Sequence, residues 1–184
     1  MLVNEYRVTA NLGTLIDQLR DMCRRFAAEE LVTAVAPHRD MPEVVIPVYE
    51  HVVAERPADA QAMVTLANAY WLTGRGPEVV GTLAARAIDA DASNRGAWHL
   101  WALAEADLRA RVERWRTVAE RFPWDQLARA ALADNAASLA GTEHDPVALD
   151  LAISTYDALL AETTQAHQRA ALESTLTTLR SWKL

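Results

Sequence analysis

Four side chains in the first third of the chain have the types that bind metal ions or move protons. They are His38, Asp40, His51 and Glu55. His51 and Glu55 are four residues apart, so on a helix they would share one face. A metal site would also need His38 and Asp40 to fold onto that face with the required geometry, which spacing alone does not supply. We therefore expect no metal site and interpret these residues as solvated side chains.

The sequence contains no motif of a known catalytic centre. It has no P-loop, no G-x-G-x-x-G, no H-E-x-x-H and no G-x-S-x-G. Residues 74–76, Gly-Arg-Gly, have the composition of a turn between helices. The remaining histidines, His99, His144 and His167, lie far apart with no paired nucleophile to activate. We expect neither an enzyme nor a bound cofactor.

A cluster of arginines surrounds Trp115, and basic residues interleaved with an aromatic can bind single-stranded nucleic acid. The cluster comprises Arg109, Arg111, Arg114, Arg116 and Arg121. Four acidic residues are mixed into the same stretch, and the whole chain carries a net charge of −7. An acidic chain repels a phosphate backbone unless its basic residues gather on one face. We predict a charged helix face around one buried Trp, and no nucleic-acid partner.

Composition favours an all-helical chain. Of its 184 residues 51% are apolar, mainly Ala and Leu, with only 6 Gly and 7 Pro. The single Cys23 can form neither an internal disulfide nor a zinc site by itself. Seventeen of the 18 basic residues are Arg, which is typical of a GC-rich, bacterial genome. No apolar run is long enough to span a bilayer, and the start lacks a secretory signal, so we expect a cytoplasmic protein without a membrane partner.

Apolar residues recurring three and four apart predict nine helices joined by short loops. Asp59 and Asp145 are predicted N-caps, and Gly74 and Gly141 are predicted to end helices. No turn residue separates the fifth helix from the sixth. The predicted helices cover residues 14–35, 42–57, 59–72, 77–89, 95–108, 109–121, 125–140, 145–160 and 165–182.

Part of this pattern resembles a tetratricopeptide repeat. Met63, Leu66, Ala67 and Tyr70 follow the family's first-helix pattern, W-x2-L-G-x2-Y, with Met for Trp and Ala for Gly. The family's second helix carries A-x3-F and, twelve residues after that Ala, a Pro. In the preceding helix, Val45, Tyr49 and Pro57 have these spacings. In the following helix, Val79 and Leu83 have the A-x3-F spacing, and Ala92 stands one residue after the position of the Pro.

The unit recurs along the chain. Leu66-Ala67, Trp101-Ala102 and Leu132-Ala133 occupy the same place in three first helices, 35 and 31 residues apart, near the family's period of about 34. The small residue lets the second helix approach closely. The resemblance is best over 41–123 and degenerate at both ends. It implies one domain over 1–184, an all-α right-handed solenoid of stacked antiparallel helix pairs with a C-terminal capping helix. The alternative is an irregular helical bundle.

The resemblance also implies a function and a site. Tetratricopeptide-like arrays hold a segment of a protein partner in the concave groove lined by their first helices, with an Asn at the place of Asn68 bonding the ligand's backbone. The groove lacks Lys and Arg, so it suits an apolar or basic segment better than a terminal carboxylate. The implied groove positions are Gln61, Val64, Asn68, Trp71, Leu72, His99, Leu103, Asp107 and Asp134.

Two other functions stay open at this point. One is a small helical ligand-binding protein or enzyme with a Trp-lined pocket, since the chain has six Trp. The other is a structural subunit of a larger assembly. The sequence does not identify the partner or the oligomeric state.

Overall fold

A computed structural model of the chain describes residues 12–38 and 40–182, and side chains from residue 14 onward except those of residues 15 and 16. The first eleven residues, inspected above for a secretory signal, lie outside the described part. Within it the chain is all-helical, as predicted, with ten α-helices, one short 3-10 turn and no strand. The helices are α1 (Leu12–Cys23), α2 (Ala28–Val35), α3 (Pro42–Glu55), α4 (Ala60–Leu72), α5 (Pro77–Ala90), α6 (Arg95–Leu103), α7 (Leu108–Arg121), α8 (Gln126–Glu143), α9 (Pro146–Glu162) and α10 (Ala166–Arg180).

The single helix predicted over 14–35 is wrong, because the chain turns between α1 and α2. Ala27 adopts an extended conformation, and its backbone N–H donates to Oε2 of Glu30 at 3.2 Å. Phe26, whose spacing fits one continuous stripe, is exposed at this turn. Cys23 is buried at the end of α1, where its thiol donates to the carbonyl of Pro47 at 3.7 Å and burial raises its pKa.

Two further predicted boundaries are wrong. The fifth predicted helix ends at Leu103, and the next begins after Asp107, whose carboxylate accepts the N–H of Ala110 at 2.8 Å. The predicted end at Gly141 is also wrong, since α8 continues to Glu143 and closes at His144 with φ +55°. Gly141 instead gives room to a neighbour, because a Cβ there would lie 3.3 Å from the ring of Trp182.

The predicted caps of α4 and α9 are confirmed. Asp59 accepts the N–H of Ala62 at 2.9 Å, and Asp145 accepts that of Ala148 at 3.1 Å. At the other end of α4, Gly74 adopts φ +70°. The N–H of Arg75 bonds the carbonyl of Tyr70 at 3.0 Å, and that of Gly74 bonds the carbonyl of Trp71 at 3.1 Å, which is the Schellman arrangement.

The chain divides into two compact units, Met1–Ala104 and Glu105–Leu184. In the first unit α3 packs against α1, α2 and α4, and α4 packs against α5 and α6, which also contact each other. In the second unit α8 packs against α7 and α9, and α10 packs against α9. Each unit therefore holds its own buried apolar side chains between helices that are near neighbours in sequence.

Alanines occupy the buried helix faces at the predicted positions. Ala67 and Ala102 in the first unit and Ala133 in the second are fully buried, with 0% exposure. Val79, placed with Leu83 in the second-helix pattern, is 45% exposed, whereas its neighbour Val80 is fully buried.

We predict that Ala67→Leu overpacks the buried face of α4 and lowers the free energy of unfolding by about 1–3 kcal/mol. Ala85→Leu on the exposed face of α5 is the matched control and should change it by less than about 0.5 kcal/mol. Urea unfolding followed by circular dichroism measures both. Equal midpoints for Ala67→Leu and wild type would contradict the tight packing at Ala67.

We also predict that deleting residues 165–184 makes the protein associate. Leu176 and Leu179 of α10 are buried, and their removal uncovers the apolar surface of α9. Light scattering should show particles larger than the wild type. Leu176→Asp should act like the deletion, whereas Thr177→Asp, at an exposed position, should not. A deletion variant with the same helix content per residue and the same number of chains per particle as the wild type would show that α10 covers nothing essential.

Candidate functional site

The site predicted from the sequence centres on one side of α4. Gln61, Val64, Asn68 and Trp71 follow one another at intervals of three and four residues, so they share a face of the helix. Gln61 and Asn68 are exposed and Val64 is partly buried. Together with Leu72, these residues form what we term the α4 face. The Asp59 cap and the Gly74 ending fix the length of the helix that presents it.

The amino-terminal part of the α4 face lies against the start of α6. Nδ2 of Asn94 donates to Oε1 of Gln61 at 3.4 Å. A Cβ on Gly96 would lie 3.1 Å from Cγ1 of Val64, so the missing side chain permits this approach. Two predicted groove helices of the first unit are therefore neighbours.

The carboxyl-terminal part of the α4 face is exposed and apolar. Trp71 is 39% exposed and Leu72 is 62% exposed, in contrast to buried Leu66 and Met63 of the same helix. Single exposed apolar residues are common on protein surfaces, but an adjacent Trp and Leu beside an exposed Asn68 form a patch of the kind that anchors interfaces.

The other predicted groove residues fall into two groups. His99 and Leu103 lie on α6 in the first unit, and both are partly buried. Asp107 and Asp134 belong to the second unit, where each has a structural partner. Asp107 caps α7, and Asp134 accepts the hydroxyl hydrogen of buried Tyr156. Burial and this hydrogen bond raise the pKa of Tyr156. The structure thus places five predicted residues on α4 and two on α6. The carboxylates of Asp107 and Asp134 are hydrogen-bonded within the second unit.

Two clefts of the first unit were not predicted. The first, of about 410 Å³, is lined by α2, α3 and α4 and includes Gln61 of the α4 face. Arg56 and Glu29 face each other there at 3.5 Å. Its lining residues are Glu29, Val32, Thr33, Tyr49, Arg56, Asp59, Gln61 and Ala62. From the sequence, only Arg56 and Asp59 lie near Gln61, and Glu29 reaches the cleft from another helix.

The second cleft, of about 320 Å³, lies among α3, α4 and α5, and we term it the α3–α5 cleft. Tyr70 lines it and donates its hydroxyl hydrogen to Oε1 of Glu50 at 2.7 Å, while Arg75 lies 5.4 Å from the ring centre. Burial raises the pKa of Tyr70 to about 12, and the bond to Glu50 acts in the same direction. Its lining residues are Glu50, Val53, Leu66, Tyr70, Val79, Thr82, Leu83 and Arg86. Neither of these two clefts has a Trp in its lining, although a Trp-lined pocket was one of the alternatives.

The residues considered for metal binding do not form a site in the described ranges. His51 Nε2 lies 3.1 Å from Oε1 of Glu55, in the contact expected from their spacing on one helix. The distance is that of an ion pair, but the two atoms are not aligned for a hydrogen bond. Across residues 12–38 and 40–182, no three His, Cys, Asp or Glu side chains come together to hold a metal ion.

Acidic neighbours engage three members of the arginine cluster of the second unit, Arg109, Arg114 and Arg116, and neutral acceptors hold Arg111. Arg109 bonds Glu143 at 2.5 Å and Asp145 at 2.9 Å. Arg114 bonds Glu105 at 2.6 Å. The remaining two are also held, since Arg111 bonds Asn135 and the carbonyl of Glu105, and Arg116 bonds Glu113. Most of this positive charge is therefore matched by acceptors inside the unit.

Comparison with known proteins adds no relative, since no protein-family model and no curated protein matches the chain. The structure alone bears on the membrane question: among the described helices, none combines the length and apolar character that crossing a bilayer requires.

The pKa of Tyr70 predicts a loss of stability at alkaline pH. The folded-state pKa of about 12 lies above the ordinary value of 10, so folding favours the protonated phenol. This contribution is complete below pH 10 and is lost as the pH rises through 12. The free energy of unfolding should therefore fall more between pH 10 and 12 in the wild type than in Tyr70→Phe. Urea titrations at several pH values measure the difference, and parallel pH profiles would contradict the raised pKa of Tyr70.

Proposed function

We propose that the chain is a protein-interaction module, without catalytic activity, that binds an apolar segment of a protein partner on the α4 face. The observation that carries the proposal is the exposed pair Trp71 and Leu72 beside exposed Asn68. Trp buried at the centre of an interface supplies a large part of its binding energy. An exposed amide next to it can bond the backbone of an extended or helical segment.

The packing of the first unit supports a tetratricopeptide-like arrangement as part of this proposal. In stacked helix pairs, a first helix contacts its own second helix and also the first helix of the next pair. α4 has both contacts, with α5 and with α6. The fully buried Ala67 and Ala102 stand at corresponding places on these two first helices. We propose that the pairs stack as a right-handed solenoid.

The partner segment should be apolar with basic rather than acidic flanks. The α4 face itself holds no charged residue, whereas Glu29 and Asp59 lie beside Gln61 in the neighbouring cleft. Arg56 is also present there, but its contact with Glu29 offsets part of its charge. Exposed Glu29 and partly buried Asp59 against the single Arg56 leave one net negative charge beside the face, which favours a basic partner over an acidic one.

We predict that Trp71→Ala abolishes partner binding at a modest cost in stability. Replacing a fully buried Trp costs about 3–5 kcal/mol, and the partial exposure of Trp71 should reduce the loss to roughly 2 kcal/mol. Trp124→Ala is the matched control, since Trp124 is 67% exposed in the other unit. Chemical unfolding gives the stability of each variant.

Binding is tested with four proteins, the wild type and the variants Trp71→Ala, Asn68→Ala and Trp124→Ala, immobilised in parallel and exposed to a lysate of the source organism. Mass spectrometry should identify a protein retained by the wild type and by Trp124→Ala but lost by Trp71→Ala and Asn68→Ala. Retention by all four proteins would show that the α4 face is not the binding surface. A stability loss for Trp71→Ala as large as for Leu66→Ala would place Trp71 in the core instead.

A further inference from the structure

The α3–α5 cleft has an apolar floor and lies on the other side of α4 from the proposed partner surface. Leu66 and Tyr70 point into the cleft, and each is two residues from Asn68, so they project from opposite sides of the helix. Val53 and Leu83 are buried beside Leu66. Val79 extends the apolar surface to the mouth of the cleft, where it is 45% exposed.

The guanidinium of the cleft has no bonded partner among the residues that the structure describes, whereas the carboxylate of Glu50 is hydrogen-bonded to Tyr70. Glu50 accepts the hydroxyl hydrogen of Tyr70 at 2.7 Å. Arg86 is exposed and makes no hydrogen bond or ion pair with any residue of the described ranges. It lies seven residues from Val79 on α5, which is two turns or about 10 Å along the helix. An unpaired guanidinium therefore stands at a distance of two helical turns from an exposed apolar side chain.

This arrangement suits a small molecule better than a peptide. All three walls are helices, whose backbone N–H and C=O groups are bonded within the helix. The hydroxyl of Thr82 donates to the carbonyl of Glu78 at 2.8 Å. An extended peptide would find few partners for its own backbone groups in this cleft. An aliphatic chain with one carboxylate needs only an apolar floor and one cation.

We propose that the α3–α5 cleft binds an aliphatic monocarboxylate, with its chain on Val53, Leu66, Leu83 and Val79 and its carboxylate on Arg86. The cleft volume of about 320 Å³ is near the lower end for small-molecule sites. The spacing of about 10 Å between Val79 and Arg86 matches an extended chain of roughly eight carbons. The carboxylate of Glu50 repels a second anion and so sets the direction in which the chain lies.

Sodium octanoate and octylammonium chloride at pH 7 are the probes, titrated into the full chain and followed by calorimetry and by amide chemical shifts. Octanoate should bind saturably at one site, with shifts confined to α3, α4 and α5, and more tightly than octylammonium. Acetate, which has the charge without the chain, should not bind. Equal affinity for octanoate and octylammonium, or no saturable binding of octanoate, would overturn the proposal.

Charge variants of Arg86 separate this site from unspecific apolar binding. Arg86→Gln should weaken octanoate binding by roughly two- to fivefold, as expected for an exposed ion pair. Arg86→Glu should reverse the preference, so that octylammonium binds more tightly than octanoate. Arg24→Gln removes an exposed arginine outside the cleft and should bind octanoate like the wild type. An unchanged preference in Arg86→Glu, with wild-type circular dichroism, would show that Arg86 does not hold the carboxylate.

Discussion

Close approach of helices at alanine side chains is the constraint on which both units depend. Ala67, Ala84 and Ala102 in the first unit and Ala133 and Ala152 in the second have no exposed surface. A single methyl group lets two helix backbones come near each other, so larger side chains must project to the flanks of each contact. The clefts beside α4 follow from this, since Tyr70, Val79 and Arg86 lie at such flanks and not in the contact itself.

Much of the fold could be predicted because helix ends are set largely by residues that lie close together in sequence. Pro42, Pro77 and Pro146 stand in the first turn of their helices, where a missing N–H costs nothing, and Asp59 and Asp145 cap as predicted. The errors arose where no Gly or Pro marks a helix boundary, or where a Gly lies inside a helix. Gly141 was predicted to end a helix, yet the helix continues through it to Glu143, and the ring of Trp182 lies beside it. The turn before α2 has no Gly or Pro, so the periodicity of its apolar residues concealed it.

The candidate site was predictable only in part, for a related reason. Helical spacing was enough to place Gln61, Val64, Asn68 and Trp71 on one face. Exposure is different, because it depends on which helices cover a residue. Asp134 has the spacing of a groove residue, but its carboxylate bonds Tyr156 of the adjacent helix. The α3–α5 cleft joins residues of three helices, and no local pattern specifies the gap between them.

The order in which helices contact one another has a consequence for how the chain acquires its structure. In the first unit the main contacts of each helix are with helices next or next but one along the chain, as in α4 with α5 and α6. The second unit follows the same rule from α7 to α10. Short loops close between such contacts, so little chain entropy is lost before each contact forms. Each unit should therefore fold rapidly, and its helices can dock one after another as they leave the ribosome.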